Sequence, residues 1–224
     1  MGYKVFIDFE MAPVDKKYDD IRKICPREII QIGAVILDEA NIEVGSFKRN
    51  VRPQYVTYVS NRLMDLLGIT FRELEYCGSF NDCWQEFVDW TYSFSTDITL
   101  YAWSESDLKE LSNEITLTHM EIDSSTKKLI ENWIDLQEEF DKAIDSENQT
   151  GLKKALELCG IEFDGKQHDS LIDSRNTAQV YIELLAPEAI LKQIELTHKY
   201  TEEKSDSVCS LGSLFDFSKL GFAV

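Results

Sequence analysis

Tyr3-Lys4-Val5-Phe6-Ile7-Asp8-Phe9-Glu10 reads as a buried β-strand that ends in two carboxylates. Tyr3, Val5, Phe6, Ile7 and Phe9 make a short apolar run of aromatic and β-branched side chains, with Lys4 as a snorkelling edge. Side chains alternate faces along a strand, so Asp8 and Glu10 point the same way. Like charges this close repel, and burying either costs free energy. A hard divalent cation such as Mg²⁺ relieves both problems, because it prefers carboxylate oxygens. The chain holds 41 Asp and Glu, so acid-x-acid spacing alone is weak evidence, and the apolar strand in front is what singles out this pair.

A length of 224 residues fits one domain with an appended helical tail, and 43% hydrophobic residues suffice for a substantial core. No stretch approaches the ~20 apolar residues of a membrane span. Met1-Gly2-Tyr3-Lys4 runs directly into the strand, which reads as neither a signal peptide nor a myristoylation site. The 5 cysteines (Cys25, Cys77, Cys83, Cys159, Cys209) form no Cys-x-x-Cys pair, and they read as the reduced thiols of a cytoplasmic protein. The net charge of −18 works against nucleic-acid binding, but its distribution is uneven. Residues 1–72 carry 11 basic and 10 acidic side chains, a net of +1, and residues 73–224 carry 12 and 31, a net of −19. Any nucleic acid is therefore engaged locally, near the first strand, and not along a broad basic face.

Beyond the first strand, residues 11–27 form a polar connection with Lys16, Lys17, Arg22, Lys23 and Arg27, either a functional lid or a mobile loop. Glu28 to Leu37 reads as a second strand and Ile42 to Val51 as a half-exposed third, which makes an antiparallel meander. Val59, Leu63, Leu66 and Leu67 share a helical face that Gly68 stops. Ser79 with Asp82 caps a helix through Trp90. A fourth strand spans Ile98 to Trp103, followed by a helix capped by Ser104 or Ser106, and a fifth strand lies around Leu129 to Asp135. Gly151 opens a helix ending near Gly160, Asp169 or Ser170 caps the next, and Pro187 starts the last. Three strands in a meander, then strands alternating with helices, predict an α/β mixed sheet with the fourth strand parallel to the first.

The remaining candidate side chains follow strands or precede helices. Asp107 sits where the fourth strand passes into a helix, a frequent location for active-site groups, although the helix macrodipole alone also favours an acid there. Glu105 competes with it, and Asp107 is preferred because the helix fixes its direction. His168 precedes a helix that carries Asp173 in its first turns. His119 and His198 read as ordinary surface histidines.

In order, Phe6-Ile7-Asp8-Phe9-Glu10, Asp107 after a Ser/Trp-rich strand end, and His168-x4-Asp173 resemble the DEDDh 3′→5′ exonuclease superfamily, and within it the Eri-type (histone-mRNA 3′ exonuclease-like) subgroup. Arg27 to Asp38, Val51-Arg52-Pro53, Leu67-Gly68-Ile69-Thr70 and Gly151-Leu152 through Tyr181 are similar to family segments as well. The resemblance implies an RNase H-like mixed five-stranded sheet flanked by helices over residues 1–186, and the residues beyond it read as a helix at 187–204 and an apolar tail at 205–224. It implies two divalent ions, Mg²⁺ or Mn²⁺, held by Asp8, Glu10, Asp107 and Asp173, with His168 as general base. It also implies a 3′-terminal nucleotide set against Phe9, Met11 and Ala12, with Leu67, Ile69 and Thr70 as a wedge on its base. Trp103, where proofreading relatives carry Asn, joins that nucleotide-binding set.

The implied activity is release of nucleoside 5′-monophosphates from the 3′ ends of single-stranded RNA or DNA. Telling the two apart takes contacts to the 2′-OH, which the sequence does not locate. The alternative is a catalytically silent binding or scaffold protein of the same fold. Its best support is the acidic half and the tail, where Leu211, Leu214, Phe215, Phe217, Leu220 and Phe222 would dock on the domain, on a protein partner or on a second copy in a homodimer.

Overall fold

A computed structural model describes residues 2–195. Tail docking and dimer exchange at 205–224, and the later part of the helix expected at 187–204, lie outside the described residues.

The sheet has the order β3-β2-β1-β4-β5. Strands β1 (Tyr3–Pro13), β2 (Arg27–Leu37) and β3 (Glu43–Asn50) form the antiparallel meander, while β4 (Ile98–Ala102) and β5 (Trp133–Asp135) add in parallel beside β1. The helices are α1 (Asp19–Ile24), α2 (Asn61–Leu67), α3 (Phe71–Leu74), α4 (Phe80–Tyr92), α5 (Glu105–Thr118), α6 (Ser124–Glu131), α7 (Leu136–Ala143), α8 (Leu152–Leu158) and α9 (Ser170–Leu184). Residues 188–195 are helical as well.

Strand alternation explains the two cores. Val5, Ile7 and Phe9 of β1 pack under α4 with Phe80, Trp84 and Phe87. Phe6 packs on the opposite face with Leu136 and Phe140 of α7, Leu156 of α8, and Ala178 and Val180 of α9. Each fully buried side chain of this size contributes roughly 1.5–3 kcal/mol. Asp8 and Glu10 follow Phe6 at two-residue intervals, so they emerge on the α9 face. Lys4 lies on that face too. It is buried and not snorkelling, with Nζ 2.9 Å from Asn41 Oδ1 and 3.1 Å from the Asp38 carbonyl, which secures the β2–β3 turn.

Helix α9 approaches the sheet closely because residue 33 has no side chain. Gly33 pairs with Asp8 across the β1–β2 ladder. A Cβ on Gly33 would stand 2.2 Å from the Leu171 nitrogen. Ser174 Oγ donates to the Gly33 carbonyl at 2.9 Å, and Ser170 N and Oγ both donate to Gln31 Oε1. These bonds set the first turn of α9 beside Asp8.

The structure departs from the sequence reading in several places. The connection at 11–27 is not one loop. β1 continues to Pro13 past an irregularity between Glu10 and Met11, and α1 occupies much of the rest. The fifth strand is confined to Trp133–Asp135, because Asp123 accepts from the Thr126 N–H and caps α6 over the residues just before it. Helices α1, α3, α6 and α7 have no counterpart in the sequence reading. Ser104 is the N-cap residue of α5 but makes no side-chain cap bond, whereas Asp169 caps α9. Gly68 ends α2 in the left-handed region at φ 66°, as its position predicted. Glu28, in an otherwise apolar strand, is fully buried and accepts the Gln54, Tyr55 and Val56 N–H groups at 2.6, 2.7 and 2.8 Å, which anchors the chain as it leaves β3.

Gly33→Ala is expected to push α9 off the sheet and destabilise the protein by at least about 1–3 kcal/mol, the usual cost of overpacking. Urea denaturation checks this, and a midpoint equal to that of the unsubstituted protein contradicts it.

Candidate active site

β4 runs parallel to β1, so their C-terminal ends lie at one edge of the sheet, where α/β proteins commonly place their sites. β1 supplies Asp8 and Glu10. The segment after β4 turns into α5 and brings Asp107, whose carboxylate accepts the Phe9 backbone N–H. α9 supplies Asp173, whose Oδ2 accepts the His168 backbone N–H at 2.9 Å. That bond explains the five-residue spacing. His168 stands just before the Asp169 cap, and its φ of 66° turns its N–H back toward the helix. Carboxylate oxygens of Glu10 and Asp173 and a ring nitrogen of His168 lie within 4.8 Å of one another.

All four acids hold their protons more tightly than they would in water. Burial raises Asp8 well above the usual carboxylate range, and Asp107, Asp173 and Glu10 reinforce it in that order. Burial likewise pushes Glu10 up to about 7, with Asp173 the largest charge contribution. Asp107 rises to about 7 against the stabilising Phe9 N–H, and Asp173 to about 6. In each case loss of solvation is the main cause; repulsion among the acids comes second for Asp8 and Glu10, whereas for Asp107 and Asp173 backbone N–H bonds come second and oppose the rise. Divalent cations are the kind of partner this cluster accommodates, since hard ions take oxygen ligands and bring the missing positive charge.

The structure thus gathers Asp8, Glu10, Asp107, His168 and Asp173 at one edge. It arranges the expected nucleotide contacts less uniformly. Phe9 is buried against Trp84 and Trp133, so only its backbone faces the site. Ala12 and Leu67 are buried in a third cluster beneath α2 and α3. Thr70 caps α3 in a reciprocal arrangement with Glu73. Trp103 is buried, with Nε1 3.2 Å from the Thr150 carbonyl and its ring against Phe140, so it serves the core while its edge lines the site. Met11 and Ile69 remain half-exposed.

Sequence reasoning missed the groups that hold the acids in place. Lys48 of β3 reaches Asp169 Oδ2 at 2.6 Å, next to His168 and Asp173. Arg27 lines the site and pairs with buried Glu110 one turn beyond Asp107, with Nε 3.1 Å from Oε1. Gln31, a polar residue inside an apolar strand, carried a visible signal, and Lys48 on an alternating strand carried none.

The raised carboxylates set a pH dependence. A group whose folded pKa lies above its unfolded value stabilises the fold fully below the unfolded value, and that contribution is lost as pH rises through the folded value. For Glu10, Asp107 and Asp173 the window runs from their ordinary 4.5 and 3.8 to about 6–7. Ionised carboxylates are also the form a divalent cation binds. The increase in Tm produced by Mn²⁺ is therefore expected to grow as pH rises through this window. Thermal melts with and without Mn²⁺ at several pH values check it, and an increment independent of pH contradicts it.

Residues 5–181 match the family model described as Exonuclease (RNase T). Human ERI1 exoribonuclease 2 is 26% identical over 92% of this chain and 32% of its own length. Human 3′-5′ exoribonuclease 1 is 27% identical over 76% of this chain and 50% of its own. The chain thus spans a third to a half of the length of these curated relatives. Among solved structures, the nuclease domain of 3′hExo, a DEDDh family member bound to rAMP, superposes with a TM-score of 0.69 at 24% identity, covering 82% of this chain and 91% of that one. Cell-death related nuclease 4 (CRN-4) gives 0.68 at 20% identity, over 83% and 64%. With residues 5–181 matched and a mixed five-stranded sheet like that of the 3′hExo nuclease domain, the chain belongs to the RNase T-type exonuclease family and is similar to ERI1 exoribonuclease 2 and 3′-5′ exoribonuclease 1.

Proposed function

We propose that this protein is a metal-dependent 3′→5′ exonuclease that releases nucleoside 5′-monophosphates from the 3′ ends of single-stranded RNA or DNA. The observation that carries this reading is the convergence of Asp8, Glu10, Asp107 and Asp173 with His168 at the ends of β1 and β4. Asp8, Glu10, Asp107 and Asp173 would hold two Mg²⁺ or Mn²⁺ ions. When bound, such a pair offsets charge on the phosphoryl group and makes water a competent nucleophile.

The chain's own residues do the rest. The Phe9 and His168 N–H groups fix two of the carboxylates before substrate arrives. His168 is exposed at the mouth of the site, where its imidazole can take a proton from the attacking water and pass it to solvent. Met11 offers apolar surface to the terminal nucleoside in the cleft at the carboxylates, with the Phe9 backbone beside it. Cys25, Cys77, Cys83 and Cys159 are free thiols, which supports extending the proposal to a reducing, cytoplasmic setting.

Digestion of matched 5′-labelled RNA and DNA strands with Mg²⁺ tests the proposal. Asp8→Ala is expected to abolish hydrolysis while raising Tm at neutral pH without metal, since it removes a repelled, desolvated charge. His168→Ala is expected to keep Mn²⁺ affinity in calorimetry and lose about 10²–10⁴ in kcat, the weight of general-base catalysis. Full activity in Asp8→Ala overturns the metal mechanism, and near-normal turnover in His168→Ala removes that residue from it.

A further inference from the structure

Two clefts meet at the carboxylates. The first, about 300 Å³, runs past Glu10, Met11, Arg27 and Ser106. The second, about 580 Å³, is lined by Leu152, Lys153, Lys154, Phe163 and Gln167. Asp8, His168 and Asp173 stand in the walls of both, so the catalytic cluster is the seam between them.

If the exonuclease reading holds, on which this inference rests, a phosphodiester at that seam sends its chain out on both sides. The terminal nucleoside lies toward Met11, along the first cleft. The remainder of the strand has to leave past Asp8. A third cleft, about 510 Å³, opens near Glu105 and is walled by Asp135, Glu138, Asp141 and Asp145; Lys142 in the same wall is paired with Glu138 and Glu139, so the cleft repels a phosphate backbone. The second cleft has the opposite character. Residues 73–224 carry a net of −19, yet two adjacent lysines stand at this rim. Lys154 lies 3.4 Å from Glu157, an exposed pair that contributes little in water, so its ammonium group stays available to an anion. Phe163 adds an aromatic ring to the same wall. Positive charge beside an aromatic face is the pairing that single-stranded nucleic acid uses, and the volume lies within the range of ligand sites.

We propose that the cleft between α8 and the 161–168 loop is the subsite for the nucleotide immediately upstream of the scissile bond. Lys153 and Lys154 engage its phosphate, and Phe163 takes its base. The ligand is a single nucleotide of the departing strand, RNA or DNA.

Two substrates isolate the subsite. In an oligonucleotide the leaving group is the upstream strand. In the p-nitrophenyl ester of thymidine 5′-monophosphate it is p-nitrophenol, which carries no nucleotide. For Lys153→Ala/Lys154→Ala, the ratio of kcat/KM on the oligonucleotide to that on the ester is expected to fall on the order of tenfold. The salt dependence of the oligonucleotide reaction should become shallower. Lys153→Arg/Lys154→Arg should restore both, and Phe163→Leu should lower the ratio and leave the salt dependence as it was. An unchanged ratio in the double alanine variant, with both substrates cleaved by the unsubstituted protein, overturns the subsite alone. An unsubstituted protein that cleaves neither substrate overturns the exonuclease reading and the subsite with it.

Discussion

Four carboxylates are crowded at the end of one strand pair, out of full contact with water. Asp8 and Glu10 share a strand face, Asp107 is drawn in by the Phe9 N–H, and Asp173 is held by the His168 N–H. Each holds its proton more tightly than it would in solution, three of them up to about 6–7. A fold does not gain stability from such an arrangement. It persists because the elements carrying the acids are secured by bonds made elsewhere. Gly33 lets α9 lie against the sheet, Gln31 and Ser174 fasten its first turn, Lys48 holds the Asp169 cap, and Arg27 ties β2 to α5. The strain at the site is thus offset by ordinary packing and hydrogen bonding around it, the pattern by which proteins keep functional strain.

The strong net negative charge of the chain loses its force as an objection once charge is located. Lys48, Arg27, Lys153 and Lys154 stand close to the carboxylate edge, whereas much of the acidic charge lines a different cleft, around Asp135, Glu138, Asp141 and Asp145. A global charge sets long-range repulsion, which salt screens within about 10 Å. Local lysines and bound cations set what happens at the site.

Much of this was legible in the chain. Strand alternation places Asp8 and Glu10 on one face, and the order β1-β2-β3 follows from turn residues and Pro53. Gly68, Ser79 and Asp169 announced helix ends through local chemistry that acts over three or four residues. What escaped depends on contacts distant in sequence. The sheet at 129–135 shrank because a cap at Asp123 favours helix, and helical and extended propensities there are close. Trp103 enters through the family position where proofreading relatives carry Asn, and its hydrogen bond to the Thr150 carbonyl and contact with the Phe140 ring, which also seat it in the core, are distant in sequence. Gln31 meeting Ser170, or Lys48 meeting Asp169, spans more than a hundred residues and leaves no local pattern.

The central claim is that divalent cations, and not protons or lysines alone, are the partners this carboxylate cluster is built for. A crystal grown with Mn²⁺ and measured for anomalous scattering tests it most directly. The account predicts two peaks bounded by Asp8, Glu10, Asp107 and Asp173. Peaks confined to the acidic cleft of Asp135, Glu138, Asp141 and Asp145, with none at the four carboxylates, would contradict it.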